Sequence, residues 1–131
     1  MAPEDCPFCQ RIRSGEFLAS SELAVVLADG FPLNLGHALV VPRRHLAGSF
    51  DLSPDEQVAL WKLVSETQRA LHRDHAPDGS NLGVNVGVAA GQTVAHVHVH
   101  LIPRYDGDVE DPRGGVRAVV PARARYWERK P

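Results

Sequence analysis

His96-Val97-His98-Val99-His100, followed by Leu101-Ile102, sets three imidazoles two residues apart. In an extended chain, side chains alternate faces, so the three rings share one face while Val97, Val99 and Leu101 take the other. Neighbouring rings then stand about 7 Å apart at their bases and the outer pair about 13 Å apart. Imidazole attacks, moves protons or binds metals near neutral pH. Hydrogen-bonded core histidines and a solvated strand face are the bland alternatives. A catalytic metal held by two adjacent rings is another, the outer pair being too far apart to share one ion. Three rings on one face, directly after the Gly91-Gln92-Thr93 turn, favour chemistry over either bland reading, because a buried titratable row is costly unless it is used.

Cys6-Pro7-Phe8-Cys9 is the second chemical feature and holds both cysteines of the chain. The spacing suits half of a zinc site or a thiol redox pair, and an unfilled thiol pair also remains open. Zinc needs two further ligands.

Positioning these groups calls for a mixed fold. Cys6 to Ser14 reads as a short helix ended by Gly15. Phe17 to Ser20 and Leu23 to Ala28 read as a strand pair. Phe31 to Gly36 is a loop, and His37 to Val41 a strand closed by Pro42. The clearest helix begins with Ser53 as N-cap, Pro54 at the first helical position and Glu56 completing a capping box. It carries an apolar stripe at Leu60, Leu63, Val64, Thr67, Ala70 and Leu71, and ends near His72 to His75. Asn81 to Val88 and Ala95 to Ile102 complete the strands, and Tyr105 to Gly115 reads as a long loop. The expected fold is α+β: an antiparallel sheet of about five strands with one long helix and one short N-terminal helix.

The 131 residues suffice for one domain with a real core, expected over 1–131 with a loop and tail from about 105. A net charge of -2 argues against a general nucleic-acid binder. No apolar run approaches the length that spans a bilayer, so no membrane partner is expected. The acidic start Met1-Ala2-Pro3-Glu4-Asp5 lacks the basic and apolar regions of a signal peptide, which predicts a cytoplasmic protein. There a structural disulfide is not expected. Arg43 and Arg44 read as a solvated pair, Trp61 as core or interface, and His72 and His75 as helix-end cations. The basic tail Arg123 to Lys130 reads as a solvated end, a subunit arm or a small nucleic-acid contact.

The run Gly91-Gln92-Thr93-Val94-Ala95-His96-Val97-His98-Val99-His100-Leu101-Ile102 resembles the signature of the histidine-triad (HIT) superfamily, His-φ-His-φ-His-φ-φ with φ apolar. It is most similar to the branch of fragile-histidine-triad dinucleoside polyphosphate hydrolases and bacterial relatives, with the histidine-triad nucleotide-binding phosphoramidases close behind. Asp29, Gly36-His37 and Pro42-Arg43-Arg44-His45 also fit the pattern, and the resemblance covers about Cys6 to Arg104. It implies cleavage at the α-phosphate, with His98 as nucleophile and a nucleotidyl-histidine intermediate. The His96 carbonyl would orient His98, His100 would contact phosphate and leaving-group oxygens, and His37 would support the cluster. Asp29 would meet ribose hydroxyls, Asn85 ribose and phosphate, and Gly91, Gln92 and Thr93 the phosphate. Phe8 and Leu27 would line the nucleobase pocket.

Some bacterial members complete a zinc site on Cys6 and Cys9 with residues matching His45 and His96. The resemblance therefore implies structural zinc, no organic cofactor and a homodimer. Dinucleoside polyphosphates are the first expected substrate class and phosphoramidates the second. A phosphorylase using phosphate in place of water, a nucleotide sensor with little turnover, and a purely structural metal module are the alternatives. The segment Asp111-Pro112-Arg113-Gly114-Gly115-Val116-Arg117 looks motif-like, and its residue types assign it no role.

Overall fold

The structure, a computed structural model, describes residues 1–130. Pro131, the last residue of the expected domain, lies outside the described residues. Helix α1 spans Pro7–Ser14, and Gly15 ends it in the left-handed region at φ 76°, which glycine adopts without strain. Strands β1 (Ala19–Ser20), β2 (Ala24–Ala28) and β3 (Ala38–Pro42) follow. The long helix α2, Pro54–His75, then crosses to β4 (Gly79–Val84) and β5 (Val99–Arg104). The five strands form one antiparallel sheet in the order β1-β2-β3-β5-β4, so the histidine strand lies inside the sheet, between β3 and β4.

Alternation along the strands builds two cores. Ala24, Val26, Ala38, Val40, Val97 and Val99 pack with Leu60, Leu63 and Val64 of α2. On the opposite face Val25, Leu27, Leu39 and Val41 pack with Cys6, Phe8 and Cys9 around α1. His100 pairs with Leu39 and so shares the α1 face.

Several boundaries differ from the expected ones, each for a local reason. The histidine strand was expected over Ala95 to Ile102, yet only Val99–Arg104 joins the ladder. Before it, the His96 N–H bonds the Val94 carbonyl at 2.8 Å and the Val97 N–H bonds Leu46 at 2.8 Å. That tight turn swings His96 toward α1, while the apolar alternation of Val97 and Val99 survives. The expected strand Asn81 to Val88 shifts to Gly79–Val84, because Gly79 pairs with Arg104 at one end. At the other end Gly87, at φ 87°, starts a 3-10 turn over Val88–Ala90. β1 is shorter than expected, although the Leu18 N–H still reaches Val26 O at 2.8 Å.

The expected loop and tail gain short helical pieces: 3-10 turns at Gly115–Val119 and Tyr126–Glu128, and a four-residue helix α3 at Pro121–Ala124. Trp61 is half exposed on α2 and therefore not core. Among the described residues no helix is long and apolar enough to cross a membrane.

The start of α2 ties helix to sheet. The Glu56 N–H donates to Ser53 Oγ at 3.1 Å and the Ser53 N–H donates to Glu56 Oε2 at 2.8 Å, completing the capping box. Arg44 is 56% exposed, as expected of a solvated residue, and its guanidinium also donates to both Glu56 oxygens, at 2.7 and 2.8 Å. Arg43 Nε donates to the Ser21 carbonyl at 3.0 Å. The Arg44 hydrogen bond, with help from the Ser53 N–H, holds the Glu56 carboxyl at about 2. A carboxyl lowered in the folded state stabilises above its ordinary pKa near 4.5, and that contribution is lost as pH falls from there toward 2. Glu56→Gln is expected to lower thermal stability at pH 7 by about 1 kcal/mol. Melting curves should show the gap to wild type closing below pH 4.5, and a gap independent of pH would contradict this account.

Candidate functional site

All three triad histidines gather on the α1 face, where the Ala95–His96 turn and β5 deliver them. His96 has no exposed surface and His98 is 6% exposed. His98 Nδ1 donates to the His96 carbonyl at 2.7 Å. That bond assigns the ring proton to Nδ1 and leaves a lone pair on Nε2. Among the described residues nothing hydrogen-bonds to Nε2, and this nitrogen is not sealed from solvent. The Phe8 ring meets the imidazole edge-on at 5.1 Å, a contact that fixes its plane.

A second chain of partners fixes His100. The Leu33 N–H donates to His37 Nδ1 at 3.1 Å, so the proton of a neutral His37 sits on Nε2. Nε2 stands 3.0 Å from His100 Nδ1 and 3.3 Å from Asp29 Oδ2. His100 Nδ1 therefore accepts, and its own proton is left on Nε2, the nitrogen away from His37. Burial pushes both rings below the ordinary histidine value, with Asp29 pulling the other way. His98 and His100 thus carry opposite tautomers, one presenting a lone pair and the other an N–H.

Asp29 was expected to face ribose. Here Oδ1 accepts from the Phe31 N–H at 2.7 Å, and Oδ2 also lies 3.8 Å from His100 Nδ1. Asn85 lines the same cleft as Asp29, His37 and His100. The Gln92 amide does not face solvent freely: Oε1 accepts from the Gly87 N–H at 2.9 Å, and Nε2 donates to Ala47 O and Val94 O. It braces the turn before the triad. Gly91 adopts φ 92°, and Thr93 is exposed beside it. Leu27 has no exposed surface and belongs with Phe8 to the core cluster under the rings.

Cys6, Cys9, His45 and His96 converge, with their ligand atoms all within 4.8 Å of one another. His96 Nδ1 stands 3.5 Å from each sulfur, and His45 Nδ1 3.4 Å from Cys9 Sγ. Tetrahedral zinc, with bonds of about 2.3 Å to sulfur and 2.0 Å to nitrogen, sets ligand atoms roughly 3.5 Å apart, so the donors fit. The outer nitrogens are pinned: His96 Nε2 donates to Pro42 O at 2.7 Å and His45 Nε2 to Met1 O at 3.1 Å. Both Nδ1 lone pairs consequently face the sulfurs, the arrangement that orients metal ligands. Burial and the neighbouring Cys6 push the Cys9 thiol up to about 11, so paired thiolates here require a cation. This cluster could hold a metal ion.

Sequence reasoning missed the Asp29 contact with the two histidines and the carbonyl anchors Pro42 O and Met1 O. Asp29 and His37 are eight residues apart across a turn, a signal a hairpin register offers. Backbone carbonyls carry no residue-type signal at all.

The HIT domain pattern matches residues 13–107. An asymmetrical bis(5'-nucleosyl)-tetraphosphatase of Schizosaccharomyces pombe is 37% identical over 91 residues, 70% of this chain and 50% of that protein. An AP-4-A phosphorylase of Mycobacterium tuberculosis is 35% identical over 95 residues, 72% of this chain and 49% of that one. The chain spans about half the length of these curated relatives. The crystal structure of a Zn-bound histidine triad family protein from Mycobacterium smegmatis superposes with a TM-score of 0.73 at 29% identity, covering 95% of this chain and 97% of that one. With the triad, its preceding turn and the five-stranded sheet all present, this chain belongs to the HIT domain family.

Proposed function

We propose that the protein is an enzyme that transfers a nucleoside 5'-monophosphoryl group through His98, cleaving dinucleoside polyphosphates or related nucleotidyl compounds at the α-phosphate. The carrying observation is the 2.7 Å bond from His98 Nδ1 to the His96 carbonyl, which leaves Nε2 as an available lone pair. In the first step Nε2 bonds phosphorus while the bond to the leaving group breaks, its electron pair departing with that group. The His100 Nε2–H lies beside His98, with ring centroids 5.1 Å apart, and donates to oxygens that gain charge. In the second step a water oxygen attacks phosphorus, the P–N bond returns its pair to Nε2, and a water proton is released. Splitting one displacement into two lowers each barrier. His37 and Asp29 position His100 by holding its tautomer. Asn85, Gly91 and Thr93 surround the α-phosphate and ribose, and Phe8 sits at the base end, backed by Leu27. Inorganic phosphate in place of water gives the phosphorylase reading, which the likeness to the M. tuberculosis AP-4-A phosphorylase favours.

The same proposal gives Cys6, Cys9, His45 and His96 to a closed structural zinc. Bound there, zinc supplies the positive charge that keeps both thiolates ionised. Its role is to fix His96, whose carbonyl in turn aims His98. The Zn-bound relative supports this reading. The proposal also retains a homodimer, for which the half-exposed Trp61 offers contact area.

Mass spectrometry of protein quenched during turnover of a dinucleotide should reveal one nucleoside monophosphate on His98. His98→Ala should lose the adduct and lower kcat by roughly 10³-fold or more. Steady turnover by His98→Ala would contradict the proposal, whereas nucleotide binding without turnover in the wild type would favour a sensor. Elemental analysis should find one zinc per chain, and Cys6→Ser or His45→Ala should reduce occupancy and melting temperature together. Because burial lowers His37 and His100, the unfolded chain takes up protons first as pH falls through 6.5. Stability should therefore drop below that pH, and melting temperatures rising on acidification from pH 7 to 5 would refute the neutral pair.

A further inference from the structure

Two arginines, Arg11 and Arg13, stand in the last turn of α1. Cations there complement the negative end of the helix dipole, and Arg13 does so out in solvent. Arg11 is half-buried and turns to the sheet instead, where Nη1 donates to the Ala28 carbonyl at 2.8 Å. Among the described residues no carboxylate pairs with it, whereas Arg44, Arg104, Arg113 and Arg125 each close on one. A guanidinium carries five N–H donors in a planar fork. One bond to a carbonyl therefore fixes the head and leaves the rest of the fork without a protein partner.

The place of that head gives it a use. Ala28 ends β2 and directly precedes Asp29. Phe8 stands one turn before Arg11 on α1, and side chains three apart on a helix are neighbours. The fork is thus tied to α1 beside the ring at the base end, and to the sheet beside the carboxylate expected at the ribose. The chain leaves room there, since a Cβ on Gly30 would meet nothing within 4 Å. Phe17, half-buried against the same cluster as Phe8, adds a second flat apolar face. A base joined to a ribose at Asp29 and lying against Phe8 comes within reach of the fork.

The donor set decides which base gains from it. Arginine offers N–H groups only and accepts nothing. Guanine presents O6 and N7 as two adjacent acceptors, which the fork meets with two parallel bonds. Adenine presents N7 beside an N6 amino group, so one arm of the fork would face another donor. An apolar wall is nearly indifferent to that exchange, and a site built on hydrogen bonds is not.

We propose that Arg11 reads the base of the reacting nucleoside and selects a purine with acceptors at both O6 and N7, guanine or hypoxanthine, over adenine. The proposal rests on the nucleotidyl-transfer reading, with the base at Phe8 and the ribose at Asp29.

Isothermal titration of the purified protein with GMP, inosine 5'-monophosphate and AMP tests the preference without any leaving group. GMP and the inosine nucleotide should bind alike, and about tenfold more tightly than AMP. Arg11→Leu should bring the three affinities level. Arg11→Lys, a point donor without a fork, should keep only part of the preference. Melting curves check that both variants fold, and should Arg11→Leu not fold, a full preference in Arg11→Lys overturns the proposal. Equal affinities in wild type overturn it, and so does a failure of all three nucleotides to bind. An inosine nucleotide that follows AMP would place recognition at the 2-amino group of guanine, away from the fork, and also overturns it. So does a loss shared equally by GMP and AMP in Arg11→Leu, which would put the guanidinium on phosphate or on a ring face. The underlying reading is scored separately, by the His98 adduct from diguanosine and diadenosine triphosphates. Adducts from both with level affinities sink the role of Arg11 alone. No adduct from either sinks the transfer reading, while the titrations still report which base the fork selects.

Discussion

One hydrogen bond, from His98 Nδ1 to the carbonyl of His96, organises the face around the triad. An imidazole free to flip its tautomer offers either a lone pair or an N–H at its outer nitrogen. This ring is denied that choice by a backbone oxygen two residues away. The bond exists because the chain is not a regular strand at this point. The tight turn at Ala95–His96 rotates the carbonyl toward the next histidine, and ladder pairing begins only at Val99.

That turn must itself be held, and the Cys6–Cys9–His45–His96 cluster is placed to do so. His96 Nε2 is tied to Pro42 at the end of β3, while Nδ1 faces both sulfurs of α1. The N-terminal helix, the end of β3 and the triad turn therefore meet at one buried point. A second anchor works from the other side, through Leu33, His37 and Asp29 to His100. The two anchors hold neighbouring rings in opposite tautomers, and burial keeps the His37–His100 pair neutral. Pre-set donors and acceptors of this kind need no rearrangement when charge develops.

Much of this was legible in the sequence, and the reasons are local. Ser53, Pro54 and Glu56 announced the start of α2 because capping chemistry depends on residue type at fixed offsets. The alternation of Val97, Val99 and Leu101 announced which side of the chain faces α2, and it survived the loss of strand geometry at His96. The Cys–His cluster needed the fold, since His45 and His96 are brought to α1 only by β3 and the triad turn. Arg44 is the exposed arginine the sequence suggests, but its bidentate partner Glu56 becomes visible only when the fold brings the helix start within reach. At Gln92 an amide beside a glycine turn suits a phosphate and a bracing role equally well, and here its side chain bonds Gly87, Ala47 and Val94. The Asp111–Arg117 segment was visible as a pattern but not as a function. Its glycines answer to contacts with Ala124 and Asn81 that no local rule anticipates.

The account is tested most directly by the protonation of one ring. Long-range proton–nitrogen correlation spectra of the ¹⁵N-histidine-labelled protein at neutral pH, assigned with His98→Gln, should show the His98 proton on Nδ1 and an unprotonated Nε2. A His98 ring carrying its proton on Nε2 would present no lone pair to phosphorus and would contradict the mechanism at its source.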